Sequence, residues 1–141
     1  MPCVSAPLAI AGAKLSPSLA GPRGEERYAL DVALEPQGGK PVGRFSIEVL
    51  DGEATAGAAD FDFERLEGDG RTRTARVVLF GLPGPGRGGF ADFPPWLREG
   101  KGLEVRVEVV KTTWIFTRWL NVPRLADRKT VRVAAPGDLP R

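Results

Sequence analysis

The chain has 141 residues, of which 42% are hydrophobic, so it is long enough to bury one core in a single domain. Its 18 glycines and 13 prolines favour many turns and few long helices. It has no histidine and one cysteine, which excludes an intrachain disulfide, the common zinc sites and histidine-based catalytic triads.

Charge is unevenly distributed, although the net charge is only +2. Residues 101–141 carry nine basic and four acidic side chains, a balance of +5, which leaves −3 for residues 1–100. We expect no specific nucleic-acid partner, because so small a net charge creates no strong field. A solvated mixed surface is favoured over head-to-tail contacts between copies or an anionic partner.

The first 24 residues are rich in Ala, Pro, Gly and Ser and predict an N-terminal arm, with a short edge strand at residues 8–10. The chain begins without the basic segment and continuous apolar stretch of a signal peptide. It also lacks the ~20 consecutive apolar residues that span a bilayer. We therefore expect no membrane partner, and a location in the cytoplasm or in a virion.

Alternating apolar residues predict most of the strands. In residues 28–34 and 45–49 every second side chain is large and apolar, which places those side chains on one face of a strand. Residues 103–109 show the clearest alternation. Further strands are predicted at residues 61–63, 71–80, 114–120 and 130–133.

The segments between these strands are predicted as loops. Residues 53–60 are small and loop-like, and residues 81–89 form an open loop of glycine and proline. Residues 90–97 predict a packed loop with a helical turn after Pro95.

Seven or eight short strands without a long amphipathic helix predict an all-β protein, an immunoglobulin-like antiparallel β-sandwich with extended N- and C-terminal arms. The predicted domains are the arm at residues 1–24, the sandwich at 25–133 and a tail at 134–141.

Residues 28–80 resemble a Calx-beta domain. The run D-G-E-A-T-A-G-A-A-D-F at residues 51–61 follows the order of that family's motif, with one extra residue before Asp60 and Glu53 in place of the usual Thr. Residues 28–34 resemble the family's first long strand, and residues 68–78 resemble its return strand.

The resemblance implies an immunoglobulin-like fold and, in some members, calcium bound by clustered loop acids. The corresponding calcium candidates are Asp51, Glu53, Asp60 and Asp62. Only Asp60 matches the family's motif, and calcium needs six to eight oxygen ligands. Solvated acids are therefore favoured over a calcium site, and we expect no cofactor.

No catalytic site is predicted. The G-x-G-x-x-G run at residues 84–89 is followed by a proline-broken segment instead of the helix that dinucleotide binding needs. Asp92, Asp60 and Glu64 are acid–base candidates only because nothing in the sequence excludes them. We expect a protein that is not an enzyme.

Aromatic and basic residues at 114–120 predict an interaction surface, and such residues are also typical of a binding face for sugar or single-stranded nucleic acid. If residues 114–120 form one strand, Trp114, Phe116 and Arg118 share a face and Trp119 lies on the other. One face would then belong to the core, and the other would be covered by a loop, by the N-terminal arm or by a neighbouring subunit. The complete set of predicted interface residues is Trp114, Phe116, Arg118, Trp119, Arg87, Phe90, Phe93 and Trp96.

These features together predict a structural or interaction module of a larger assembly. The expected partner is a protein, either a second copy of the chain or a subunit of a viral shell or filament, and a capsid-decoration protein or other phage structural protein is the favoured identity. The alternative is a calcium- or carbohydrate-binding adhesion module of the Calx-beta type.

Overall fold

A computed structural model describes residues 8–20, 25–37, 43–68, 71–80, 82 and 92–133. The strands are β1 (Leu8–Ala20), β2 (Glu25–Pro36), β3 (Arg44–Asp51), β4 (Ala54–Asp62), β5 (Arg73–Val78), β6 (Gly102–Ile115) and β7 (Arg118–Arg132). A 3-10 helix covers Phe63–Arg65, and the short helix α1 covers Pro95–Arg98. None of the helices in these ranges is long and apolar enough to cross a membrane.

The strands form two antiparallel sheets, with the order β1-β2-β5 in one and β4-β3-β6-β7 in the other. The predicted all-β sandwich is confirmed. Because β4 pairs with β3 and not with β5, the order differs from the constant-type immunoglobulin arrangement, in which the fourth strand belongs to the sheet of the first.

The core lies between the sheets and is built from the predicted alternating faces. The inward side chains of β2, β3 and β6 are at most 1% exposed: Tyr28, Leu30, Val32, Leu34, Phe45, Ile47, Val49, Leu103, Val105 and Val107. A residue pattern of period two forms such a face because successive strand side chains point to opposite sides of the sheet.

The first strand is longer than predicted. Only residues 8–10 were expected to be strand, but β1 continues to Ala20 and pairs with β2 from Leu8↔Pro36 to Ala20↔Glu25. Among the described residues, the sandwich therefore begins at β1 and not at residue 25. Residues 1–7 and the predicted tail at 134–141 lie outside the described ranges.

The prediction of a loop at residues 53–60 is wrong. These residues belong largely to β4, which pairs with β3 along its length, and Phe63 belongs to the 3-10 helix. The small side chains are needed because β4 passes close to β5: a Cβ on Gly57 would lie 2.9 Å from the carbonyl oxygen of Val78. Phe80 N–H donates to the Ala56 carbonyl at 2.7 Å and joins the two sheets at this side.

The opposite side of the sandwich is joined by a side chain. Asp127 of β7 accepts the backbone N–H of Ile10 in β1, with 2.7 Å between Ile10 N and Asp127 Oδ2. The register of each strand shifts beside this contact. In β1 the shift lies between Ile10 and Gly12, and in β7 it lies opposite Val107 and Glu108 of β6. Such bulges re-aim neighbouring groups, and here they bring a carboxylate to an edge-strand donor.

The helical turn predicted after Pro95 is present as α1. Trp96 and Leu97 are each 3% exposed, and Phe93 is 2% exposed. The Phe93 ring packs on Tyr28 with 6.3 Å between centroids. This segment is part of the core.

Candidate functional site

Among the residues that the structure describes, strands β6 and β7 continue well beyond the other strands of their sheet. The last pair between β3 and β6 is Phe45↔Val109, but β6 and β7 pair for six more positions, from Val110↔Pro123 to Ile115↔Arg118. At ~3.4 Å per residue these positions extend about 20 Å. We call residues 110–123 the projecting hairpin.

The tip of the projecting hairpin corrects the predicted strand at residues 114–120. The chain reverses at Phe116 and Thr117, whose φ angles are 48° and 70°. Trp114 is paired with Trp119, so the two indoles share one face. Arg118 lies on the opposite face, and the predicted grouping of Trp114 with Phe116 and Arg118 on one face is wrong.

The tip carries a concentrated apolar surface. Phe116 is 93% exposed, Trp119 67% and Trp114 54%. The two indoles contact each other edge to face, with 5.0 Å between centroids and 65° between planes. From the size of aromatic side chains, the three residues expose roughly 300–500 Å², which is the size of the largest apolar patch on an ordinary monomer.

The turn is built from residues that are unfavourable in its backbone conformation. Two-residue hairpin turns with positive φ at both positions favour Asn-Gly or Asp-Gly. A bulky Phe and a β-branched Thr in this region cost of order 1–3 kcal/mol each. Backbone strain of this kind is concentrated at functional sites, and here it presents Phe116 at the outermost position.

A groove of about 930 Å³ lies at the base of the projecting hairpin. Beside it the partly buried Phe61 stacks on the core residue Phe45, with 5.5 Å between ring centroids. Its other lining residues include Asp60, Asp62, Arg44, Arg65, Leu66, Val110 and Pro123. We call this depression the foot groove. It combines apolar surface with carboxylates and guanidinium groups.

The other predicted interface residues are placed elsewhere. Phe93 and Trp96 are buried in the core and are not available on the surface. Arg87 and Phe90 lie outside the described residues. Exposed apolar residues that the sequence did not single out are Leu120, Leu125 and Phe80, at 43%, 57% and 59% exposure.

The four calcium candidates do not converge. Asp51 and Glu53 lie at the turn between β3 and β4, whereas Asp60 and Asp62 lie at the far end of β4, beside the foot groove. From Glu53 to Asp60, β4 spans about 23 Å at ~3.3 Å per residue. No group of three or more potential metal-binding side chains occurs in the described ranges.

The acid–base candidates are also separated. Asp60 lies in β4, and Glu64 lies in the 3-10 helix with its carboxylate 4.0 Å from Arg73. Asp92 precedes Phe93, which packs on Tyr28 near the other end of the sandwich. The structure therefore does not bring the three carboxylates together as a pair or triad.

A charged cluster that the sequence did not reveal lies on the outer face of the three-stranded sheet. Asp31 is 7% exposed and accepts hydrogen bonds from Arg76 Nε at 2.8 Å and Ser16 Oγ at 2.7 Å. Burial opposes its ionisation, but these hydrogen bonds and the charges of Arg76 and Lys14 outweigh burial and hold the pKa of Asp31 below its ordinary value. The cluster is fully explained as a contact among three strands.

No protein-family model, curated protein or solved structure matches the chain.

Proposed function

We propose that this protein is a non-enzymatic structural module of a larger assembly, and that the projecting hairpin is the element that docks on a partner protein. The observation that carries the proposal is the aromatic tip, where Phe116, Trp119 and Trp114 are 93%, 67% and 54% exposed. Solvent-exposed aromatics of this size act as anchors when they enter a partner's pocket.

The stability of the sandwich does not explain why the chain forms a projecting hairpin. A two-stranded ribbon is at best marginally stable in water, and this one extends past the sheet that would support it. Its turn is also strained at Phe116 and Thr117. Features that cost stability and place apolar groups in solvent are consistent with a binding role.

For the assembly, we propose a virion, in which the module is a capsid-decoration protein or another phage structural protein. A small sandwich that exposes three aromatic side chains at the tip of one projecting element suits repeated attachment to a shell or filament. The absence of histidine from the sequence supports the non-enzymatic part of the proposal.

The proposed role is tested by co-sedimentation of the protein with large particles from the organism that carries the gene. The unmodified chain is expected to pellet with large particles, while a Phe116→Ser, Trp119→Ser double variant remains in the supernatant. Phe80→Ser is the matched control, because Phe80 is 59% exposed but lies outside the hairpin. An unmodified chain that does not pellet, or a double variant that pellets normally, would contradict the proposal.

A further inference from the structure

The main-chain groups of β3 alternate between its two neighbouring strands. Phe63 N–H donates to the Gly43 carbonyl in the register of β3 and β4, so Gly43 and Phe45 face β4. The next residue of β3 faces β6 instead, and Ser46 and Glu108 therefore form a hydrogen-bonded pair. On β6, every second residue from Glu108 onward thus directs its N–H and C=O to the side on which β3 lies.

Two of these β6 residues lie beyond the end of β3. Thr112 and Trp114 continue the alternation, but the last pair between β3 and β6 is Phe45↔Val109. Because Thr112 and Trp114 face the β3 side, their pairs with β7 are of the kind that does not exchange hydrogen bonds. Within the described part of the chain, both residues therefore present an unpaired N–H and an unpaired C=O along one edge of the projecting hairpin.

The opposite edge of the hairpin is blunted by a proline. Val110 lies on the β3 side of β6, so its partner Pro123 directs its backbone nitrogen away from β6, to the outer edge of β7. Proline has no N–H, and a proline in such a position protects an edge strand from the addition of another strand. Neither open position of the β6 edge holds a proline. Strand addition is thus directed to the β6 side.

We propose that a partner protein binds this edge by β-strand addition: a single extended segment of the partner pairs with Thr112 and Trp114 and continues the sheet in line with β3. The inference rests on the proposed docking role of the hairpin and names how the hairpin holds its partner. The complement of a row of main-chain donors and acceptors is another polypeptide backbone. Two N–H and two C=O groups allow four main-chain hydrogen bonds.

The foot groove lies next to the position of the added segment and can receive one of its side chains. The groove reaches Val110, two residues from Thr112 or about 7 Å along the strand. Its lining includes the apolar Leu66 and Val110. It also holds two carboxylates and two guanidinium groups, whose formal charges balance: Asp60, Asp62, Arg44 and Arg65. We therefore expect an uncharged partner segment of β-branched residues, which favour the extended conformation.

A second copy of the chain is the competing occupant, and the geometry disfavours it. To pair both open residues, the second copy would run antiparallel with its Trp114 beside Thr112. Its turn residue Phe116 would then lie at the level of Val110, where Arg44 of β3 already stands. A partner segment that brings no hairpin turn of its own avoids this clash.

NMR hydrogen exchange on the full chain tests the proposal with a synthetic probe. The probe is acetyl-Lys-Val-Thr-Val-Thr-Val-Lys-amide, N-methylated on its threonines so that only the valine edge can pair and the peptide cannot aggregate. At saturating probe, exchange at the Thr112 and Trp114 amides should slow by about ten-fold or more. The same peptide N-methylated on its valines as well has no usable edge and should change neither rate.

A proline substitution tests which edge binds. Thr112→Pro removes one donor of the open edge, and Asn121→Pro is the matched control, because this residue lies opposite Thr112 and directs its N–H to the other edge. Thr112→Pro should raise the dissociation constant of the probe about ten-fold, whereas Asn121→Pro should leave it within about three-fold. Circular dichroism should show that both variants are folded; if Thr112→Pro does not fold, the two peptides still decide on the unmodified chain.

Four results would overturn strand addition: no slowing by the probe, equal slowing by the fully methylated peptide, a folded Thr112→Pro variant that binds normally, or slow exchange at Thr112 and Trp114 in the peptide-free chain. The last would mean that a second copy or another segment of the same chain covers the edge. A chain that enters particles but fails these tests would contradict strand addition alone. A chain that binds the probe, but whose Phe116→Ser, Trp119→Ser variant still enters particles, would contradict the proposed function alone.

Discussion

The indole of Trp114 packs edge to face on the indole of Trp119, with 5.0 Å between ring centroids. The two residues are paired across β6 and β7, close to the turn that joins these strands. Neither ring is part of the core, since 54% and 67% of their surfaces are exposed. An edge-to-face aromatic pair contributes about 0.5–1.5 kcal/mol beyond its buried area. The pair therefore stabilises the tip locally and still leaves most of both rings available for a partner.

Thr117→Gly should stabilise the protein. The φ of Thr117 is 70°, a conformation that glycine adopts without the cost borne by a β-branched residue. We expect the free energy of unfolding to rise by about 1 kcal/mol, measured by urea denaturation. Gly43→Ala, at a position with open space, controls for a change elsewhere in the backbone. A destabilised Thr117→Gly protein would show that the turn is not strained.

Asp127→Ala should loosen the contact between β1 and β7. The substitution removes the carboxylate that accepts the hydrogen bond from the Ile10 N–H. We expect a loss of about 1–2 kcal/mol in unfolding free energy and faster hydrogen exchange at the Ile10 amide. Asp127→Asn keeps an acceptor oxygen and should lose less. Equal exchange rates in the original protein and Asp127→Ala would refute this assignment.

Gly57→Ala should destabilise the sandwich, because the new Cβ would lie 2.9 Å from Val78 O and 3.1 Å from Val77 Cγ1. We expect a loss of about 1–3 kcal/mol, measured as a lower melting temperature and urea midpoint. Gly12→Ala is the matched control in another edge strand, since a Cβ there meets nothing within 4 Å. A neutral Gly57→Ala would mean that β4 and β5 are farther apart than described.

Arg76→Ala should lower the free energy of unfolding at neutral pH and should lower it less in acid. The pKa of Asp31 is held below its ordinary value, so its ionised pairing stabilises the fold above about pH 4 and is lost as the pH falls through the lower folded-state pKa. Because Arg76 is 53% exposed, we expect only about 1–2 kcal/mol at pH 7. The difference in melting temperature between the original protein and the variant should shrink below pH 4; a difference that grows there would refute the pairing.

The sequence predicted the core strands because their large apolar residues alternate. Their burial could be predicted without tertiary information, because a period of two defines the buried face, as for Phe45, Ile47 and Val49. The edge strands were missed where their side chains are small or polar. In β4, Ala and Gly were selected by the close approach to Val78, a constraint that arises only after the sheets have packed.

The candidate site was located only in part. The aromatic density of residues 114–120 pointed to a surface, but a turn formed by Phe116 and Thr117 has none of the Gly, Asn or Asp residues that mark hairpins. The faces were therefore assigned incorrectly. The length of the projection and the position of the foot groove depend on where β3 ends, which no local pattern specifies.

The central claim is that the projecting hairpin is the surface that meets a partner. Photo-crosslinking tests it most directly, with p-benzoylphenylalanine placed at position 116 in one variant and at the exposed position 80 in another. In the assembled state, position 116 is predicted to give a covalent adduct with a second protein chain and position 80 is not. Adducts from position 80 alone, or no adduct from position 116 in an assembly that contains the protein, would contradict the claim.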